Sequence, residues 1–268
     1  MYHNRPTVAD MRAMKARGQK ISMLYVTNFE EAAAAAGINM LSIEGRFMSP
    51  EMREAAGDCF IQVGLPYGPF GDLVSGEDYL RAAFHFMRMG GDCFYCAASL
   101  DIQKVLCDNA VPIVAHVGLI PSQNTWTGGF KAVGKTAQSA KAVWDHVKRL
   151  EAIGAFGAEL EVVPDRVAEF ITKNTSMLML GMGAGPHADG QYLFAEDVLG
   201  YNPGHKPRHS KTYRNFRAEY DRLQQERISA FKELIADIRD GTYPEPKHVV
   251  PIKGAEFETF LAEVGDQS

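Results

Sequence analysis

Residues 156–183 read FGAELEVVPDRVAEFITKNTSMLMLGMG: two apolar runs of strand length, FGAELEVV (156–163) and SMLMLGMG (176–183), separated by the helix-like PDRVAEFITKNT. A strand, a helix and a second strand in so short a span form the unit from which parallel sheets are built. Working outward, the same alternation begins at residue 20. Further strands are predicted at KISMLYV (20–26), NMLSIEG (39–45), DCFIQVGLP (58–66), DCFYCAA (92–98) and VPIVAHVG (111–118). Between them lie FEEAAAAAG, SPEMREAAG, SGEDYLRAAFHFMRMGG, SLDIQKVLCDNA and TAQSAKAVWDHVKRLEAIGA, which read as helices. Gly37, Gly57, Gly90, Gly91 and Gly154 fall where helices stop, and Ser49, Ser75, Ser99, Thr136 and Asp165 near their starts. An eighth strand is assigned to HKPRHSKTY (205–213), followed by a charged helix from about Asn215 to Asp240 and the Pro-rich tail YPEPKHVVPI. The expected fold class is α/β, a (β/α)8 TIM barrel over 1–268 as a single domain with a C-terminal helix. A doubly wound open sheet is the alternative, and it too places ligands at strand ends.

Composition narrows the function. A chain of 268 residues with 46% hydrophobic content suits one large domain with a sizeable core. The net charge of -5 argues against a nucleic-acid binder, which usually carries a basic stripe. No apolar run reaches the roughly 20 residues needed to span a bilayer, and MYHNRPTVADMRAMKARG lacks a signal peptide's apolar core. A cytoplasmic protein with reduced thiols at Cys59, Cys93, Cys96 and Cys107 is expected. Cys93 and Cys96 form a C-x-x-C, but on a strand they point to opposite faces, which suits packing better than redox chemistry. No second pair completes a zinc site.

In a barrel the site lies at the C-terminal ends of the strands. That rule singles out Gly45 and Arg46, Gly64 to Tyr67, Tyr95 to Ser99, His116, Glu161 and the loop GMGAGPHADG. Glu159 and Glu161, two apart on an apolar strand, share one face. Facing outward they would pair with the helical layer; facing inward, a carboxylate is costly unless paired or protonated, and is the kind of group that serves as general base. His116 is suited to polarise a carbonyl or hold a carboxylate, although a core histidine is the commoner use. GFKAVGKT (129–136) matches the phosphate-binding pattern G-x-x-x-x-G-K-T, yet the preceding IPSQNTWTG is loop rather than buried strand. It reads as a barrel loop capped by Thr136.

Three stretches then carry a resemblance: VPIVAHVGLIPSQNTWTGGFKAVGKT, LEVVP (160–164), and LGMGAGPHADGQYLFAEDVLGYNPGHKPRHSK with DGTYPEPKH. Together, from about Val111 to His248, they resemble ketopantoate hydroxymethyltransferase (3-methyl-2-oxobutanoate hydroxymethyltransferase), a barrel of the phosphoenolpyruvate/pyruvate-domain type. The resemblance implies an α-keto acid substrate, a homo-oligomer, a magnesium ion at the barrel mouth and methylenetetrahydrofolate as co-substrate. It also implies that Glu161 takes a proton from carbon. The family's Asp-Ser falls at Gly45-Arg46, its second metal aspartate at Gly64, and its substrate lysine and metal glutamate at Tyr95 and Ala97. Magnesium needs hard oxygen donors, so a site of the family's kind is not expected, although Glu44 is a candidate shifted ligand. Arg46 and His116 are then the groups available to neutralise a carboxylate or enolate.

The expected activity is formation or cleavage of a C–C bond next to a keto acid, by hydroxymethyl transfer or an aldol or retro-aldol reaction, with Glu161 as base. Lyase or hydrolase chemistry on another acid, with Glu159 as second carboxylate, and a non-catalytic paralogue that binds a ligand are the alternatives.

Overall fold

Eight parallel strands, hydrogen-bonded in the order in which they occur in the chain, close into a barrel in the computed structural model, which describes residues 5–66 and 71–265. Helix α1 (Val8–Ala16) leads into β1 (Ile21–Tyr25), α2 (Phe29–Ala34), β2 (Met40–Glu44), α3 (Pro50–Ala55) and β3 (Phe60–Gly64). Then come α4 (Gly76–Arg88), β4 (Cys93–Tyr95), α5 (Leu100–Asp108), β5 (Ile113–Gly118), the single turn α6 (Asn124–Thr127) and α7 (Ala137–Ala152). The barrel is completed by β6 (Gly157–Glu161), α8 (Asp165–Lys173), β7 (Leu178–Met182), β8 (Gly190–Phe194) and α9 (Ala195–Leu199). The closed ring excludes the open sheet.

Local chemistry sets the helix starts. Ser75 and Thr136 form reciprocal capping boxes on α4 and α7, and Ser49 and Ser99 cap α3 and α5. Each satisfies an N–H that has no partner within the helix. Asp165 is the first helical residue of α8, preceded by Pro164 at the cap position.

The eighth strand is not HKPRHSKTY. β8 is GQYLF (190–194), and residues 205–213 are irregular. Parallel neighbours usually need a crossover of a dozen or more residues, commonly helical. Here β7 and β8 are joined by only the turn from Gly183 to Asp189, so the strand was hidden behind a glycine-rich loop. Asp189 anchors that turn, accepting from the Met179 N–H at 2.8 Å and from Lys15 Nζ at 2.6 Å. The register of β8 along β1, from Ile21↔Gly190 to Tyr25↔Phe194, closes the ring.

Side-chain alternation divides the core in two. Outward residues such as Leu41, Ile61, Phe94, Cys96 and Leu160 pack under the helices. Inward residues such as Met23, Met40, Phe60, Cys93, Val114 and Leu178 fill the barrel, and Met11 and Met14 of α1 join them at its N-terminal end. Cys93 and Cys96 therefore do face opposite ways, and both are buried free thiols. Burial raises each above the ordinary thiol range, Cys96 to about 12, which leaves them poor nucleophiles.

Contacts divide the chain into two compact units, Met1–Arg214 and Asn215–Ser268. The sequence pattern reads as one barrel domain over 1–268; all eight strands lie in the first unit. The second consists of α10 (Phe216–Asp240), capped by Asn215, and α11 (Gly254–Gly265). Among the described residues, no helix is long and apolar enough to cross a membrane.

Candidate active site

At the C-terminal end of the strands a cavity of about 780 Å³ opens. Gly45, Arg46, Gly64, Tyr95, His116, Glu159 and Glu161 all line it; Tyr67 lies outside the described residues. Its walls are largely apolar, including Leu65, Pro66, Phe86, Pro121 and Met182.

Glu159 and Glu161 point inward and clasp His116. The imidazole Nδ1 is 3.5 Å from Glu159 Oε2 and Nε2 is 3.1 Å from Glu161 Oε2. Parity explains the meeting: on β6 the two glutamates are inward positions, and His116 of β5 is the direct partner of Glu159 in the register. Tyr95 Oη sits 2.8 Å from His116 Nδ1, its ring edge-on to the imidazole. His116 is 3% exposed. Burial disfavours its charge, but the two carboxylates outweigh that cost and hold the ring protonated, with a pKa of about 9. The Nε2–H is close to Glu161 yet misaligned for a hydrogen bond, so its donor capacity is unused.

Glu161 stands where backbone is tightly constrained. The next residue, Val162, has φ 49°, an outlier for a β-branched side chain. Its N–H donates to Met182 O at 2.8 Å and its carbonyl accepts from Val133 N at 3.1 Å. Opposite, Gly118 has φ 89°, and a Cβ there would lie 2.3 Å from Glu161 O. Only glycine lets the tips of β5 and β6 approach so closely. The stretch GFKAVGKT thus braces a strand tip through Val133, and Thr136 caps α7.

Arg46 occupies a one-turn 3-10 segment after β2, with its guanidinium 4.6 Å from the centre of the Phe47 ring. Its Nε pairs with Glu44 Oε2 at 2.6 Å, and Tyr25 Oη donates to Glu44 Oε1 at 2.7 Å. Glu44 also faces the cavity, on the same side as Gly45. Strand alternation alone would set adjacent residues on opposite sides, but β2 ends at Glu44 and the turn beyond it breaks the two-residue period.

Gln62 was not singled out from sequence. It is fully buried on β3, donating from Nε2 to Glu159 Oε1 at 2.8 Å and to Ser42 Oγ at 3.2 Å. The available signal was a polar residue at an inward position of FIQVG. Phe86 was missed too, since a helical phenylalanine reads as core.

The family model described as Ketopantoate hydroxymethyltransferase matches residues 47–246. A 3-methyl-2-oxobutanoate hydroxymethyltransferase of a Geobacillus species is 31% identical, covering 94% of this chain and 96% of its own length. Another, from Hahella chejuensis, is 32% identical over 75% of this chain and 74% of its own. Among solved structures, a putative phosphonomutase from Burkholderia cenocepacia superposes with a TM-score of 0.53 at 14% identity, over 88% of this chain and all of that one. At so low an identity the last likeness speaks to the barrel alone.

Proposed function

The chain belongs to the ketopantoate hydroxymethyltransferase family, and from that premise we propose that it is an enzyme that enolises a small α-keto acid at this cavity and joins it to a one-carbon unit. The observation that carries the reading is the contact of Glu161 with His116 at 3.1 Å on the cavity wall. Glu161 removes the proton from the carbon beside the carbonyl, and its electron pair becomes the C=C bond. The carbonyl π pair moves onto oxygen, where a preorganised donor lowers the barrier. The enolate carbon then attacks the methylene carbon carried, by family membership, on methylenetetrahydrofolate. The two C–N bonds to that carbon break, and their electron pairs stay on the folate nitrogens. Water supplies the hydroxyl oxygen of the product, and the protons from substrate carbon and from that water end on the two nitrogens. Arg46 at the mouth takes the substrate carboxylate in exchange for Glu44.

The family's magnesium does not fit these residues. Gly45, Gly64 and Ala97 stand at its three oxygen-ligand positions, and none of them offers a side-chain donor. A Cβ on Gly45 would meet the Phe86 ring at 2.6 Å, so the space an aspartate would use there is already filled. Among the described residues, no group of three or more His, Cys, Asp or Glu is arranged to hold a metal ion. The chain's own side chains must therefore meet the charge that develops on oxygen. A homo-oligomer is part of the proposal, with Phe84 and Met87 of α4 as exposed apolar contacts.

Incubating the protein with 3-methyl-2-oxobutanoate in deuterated water tests the reading. Deuterium should enter at C3, persist with chelator present, and fall by about a hundredfold or more in Glu161→Gln. Absence of exchange with any small α-keto acid would point instead to a ligand-binding paralogue.

A further inference from the structure

A reaction that needs one base does not need a second buried carboxylate. Glu159 is 5% exposed inside the barrel, where an ionised carboxylate is costly unless its partners compensate. Those partners are specific. Gln62 Nε2 donates to Oε1 at 2.8 Å, and His116 Nδ1 lies 3.5 Å from Oε2. A carboxylate only accepts hydrogen bonds, so it fixes which way round the Gln62 amide stands. Ser42 Oγ, 3.2 Å from the same amide nitrogen, steadies the glutamine from β2.

We infer that Gln62 and Glu159 are positioning residues that hold the His116 imidazole doubly protonated, with its Nε2–H kept available for the oxygen of the reacting carbonyl. The inference rests on the role proposed above for Glu161 and extends it to the oxygen side of the same step. Among the described residues lining the cavity, Arg46 and His116 are the cation-forming side chains, and Arg46 is tied to Glu44. His116 is therefore the group able to meet charge as it develops on oxygen. With both ring nitrogens protonated, Nδ1–H is directed at Tyr95 Oη, 2.8 Å away, and Glu159. Nε2–H is buried and aligned with no acceptor. When a carbonyl oxygen accepts it, Glu161 is released to take the proton from carbon. The carboxylate becomes neutral as the enolate becomes negative, so the cavity holds the same net charge before and after the step.

The titratable groups around this array are Cys93 and Tyr95 of β4, Glu159 and Glu161 of β6 and Tyr192 of β8. His146 of α7 and His209 lie near enough to feel its charges. Burial keeps the Cys93 thiol and the Tyr192 hydroxyl protonated well beyond neutrality. The two glutamates are thus the groups that set the charge of the imidazole.

The test is a nitrogen-15 NMR titration of the full chain labelled at histidine, without substrate, His116 being assigned by its loss in His116→Gln. In the wild-type protein His116 should stay doubly protonated at neutral pH. In Glu159→Gln its midpoint should fall by at least about one pH unit, a tenfold change in proton affinity. Gln62→Met, which keeps the volume, should move it the same way by less, and serves if Glu159→Gln fails to fold. In parallel, deuterium exchange into 3-methyl-2-oxobutanoate should lose kcat in Glu159→Gln, about tenfold or more, with KM little changed. A neutral His116 at pH 7 in the wild-type protein would overturn the inference. So would an unmoved midpoint or an unmoved kcat in the variants. If the titrations behave as expected but the wild-type protein exchanges no keto acid, the proposed reaction fails while the charged array stands.

Discussion

Replacing Gly118 by alanine should damage stability and catalysis together. Its φ of 89° lies in the region that residues with a Cβ rarely adopt, which costs roughly 1–2 kcal/mol. The added methyl would sit 2.3 Å from the Glu161 carbonyl oxygen and 2.6 Å from Val163 Cγ2. Real contacts of this kind are not found below 3.0 Å, so the Glu161 backbone must retreat by roughly 0.7 Å. Overpacking of that kind typically costs about 1–3 kcal/mol. The expected total is about 2–5 kcal/mol, read as a lower urea midpoint in the far-UV circular dichroism of the whole chain. The carboxylate of Glu161 moves with its backbone, and misplacement approaching 1 Å costs up to about a hundredfold in rate, measured by deuterium exchange into the keto acid. Gly64→Ala is the internal control for stability alone: its Cβ would meet nothing nearer than Glu44 Cα at 3.5 Å. If Gly118→Ala stayed within about 0.5 kcal/mol of wild type with exchange intact, the close approach of the β5 and β6 tips would not be the constraint described.

His116 should make stability depend on pH. Its pKa in the folded chain is about 9, above the ordinary 6.5, so its contribution is full below about pH 6.5 and is lost as pH rises through about 9. The size is on the order of 3 kcal/mol, and His116→Gln should flatten urea midpoints across that window; parallel profiles for both proteins would count against it. Met11→Ala, at the closed end of the barrel, should cost about 2–5 kcal/mol while leaving exchange intact at temperatures where the variant is folded. Arg46→Ala should raise KM for the keto acid by about tenfold or more with a smaller effect on kcat, and an unchanged KM would remove Arg46 from substrate binding.

Seven of the strands were legible because buried parallel strands are apolar runs bounded by glycine and helix caps, and little else in a sequence has that pattern. β8 was not, because GQYLF follows a turn too short to suggest a parallel return, and most of its pairing is with β1, first in the chain. The meeting of Glu159, Glu161 and His116 was half legible. Spacing put the glutamates on one face, but which face they took was fixed by barrel closure, a property of all eight strands at once. Gln62 was illegible for a related reason: its partner Glu159 is 97 residues away, and a single polar residue in a strand does not announce which way it points. That the Phe86 ring fills the space beside Gly45 depends on how α4 approaches the end of β2, which no local pattern encodes.

The apolar side chains that fill the barrel close the far end of the cavity and make it a cul-de-sac. For the proposed reaction, two reactants meeting there could not pass each other: the one against Glu161 would have to arrive first, and the larger one-carbon donor would have to leave before the product. Traffic of this kind gives ordered kinetics and inhibition of the inner reactant by excess of the outer one. The side chains responsible, among them Met40, Phe60 and Leu178, take no part in the chemistry whose order they set.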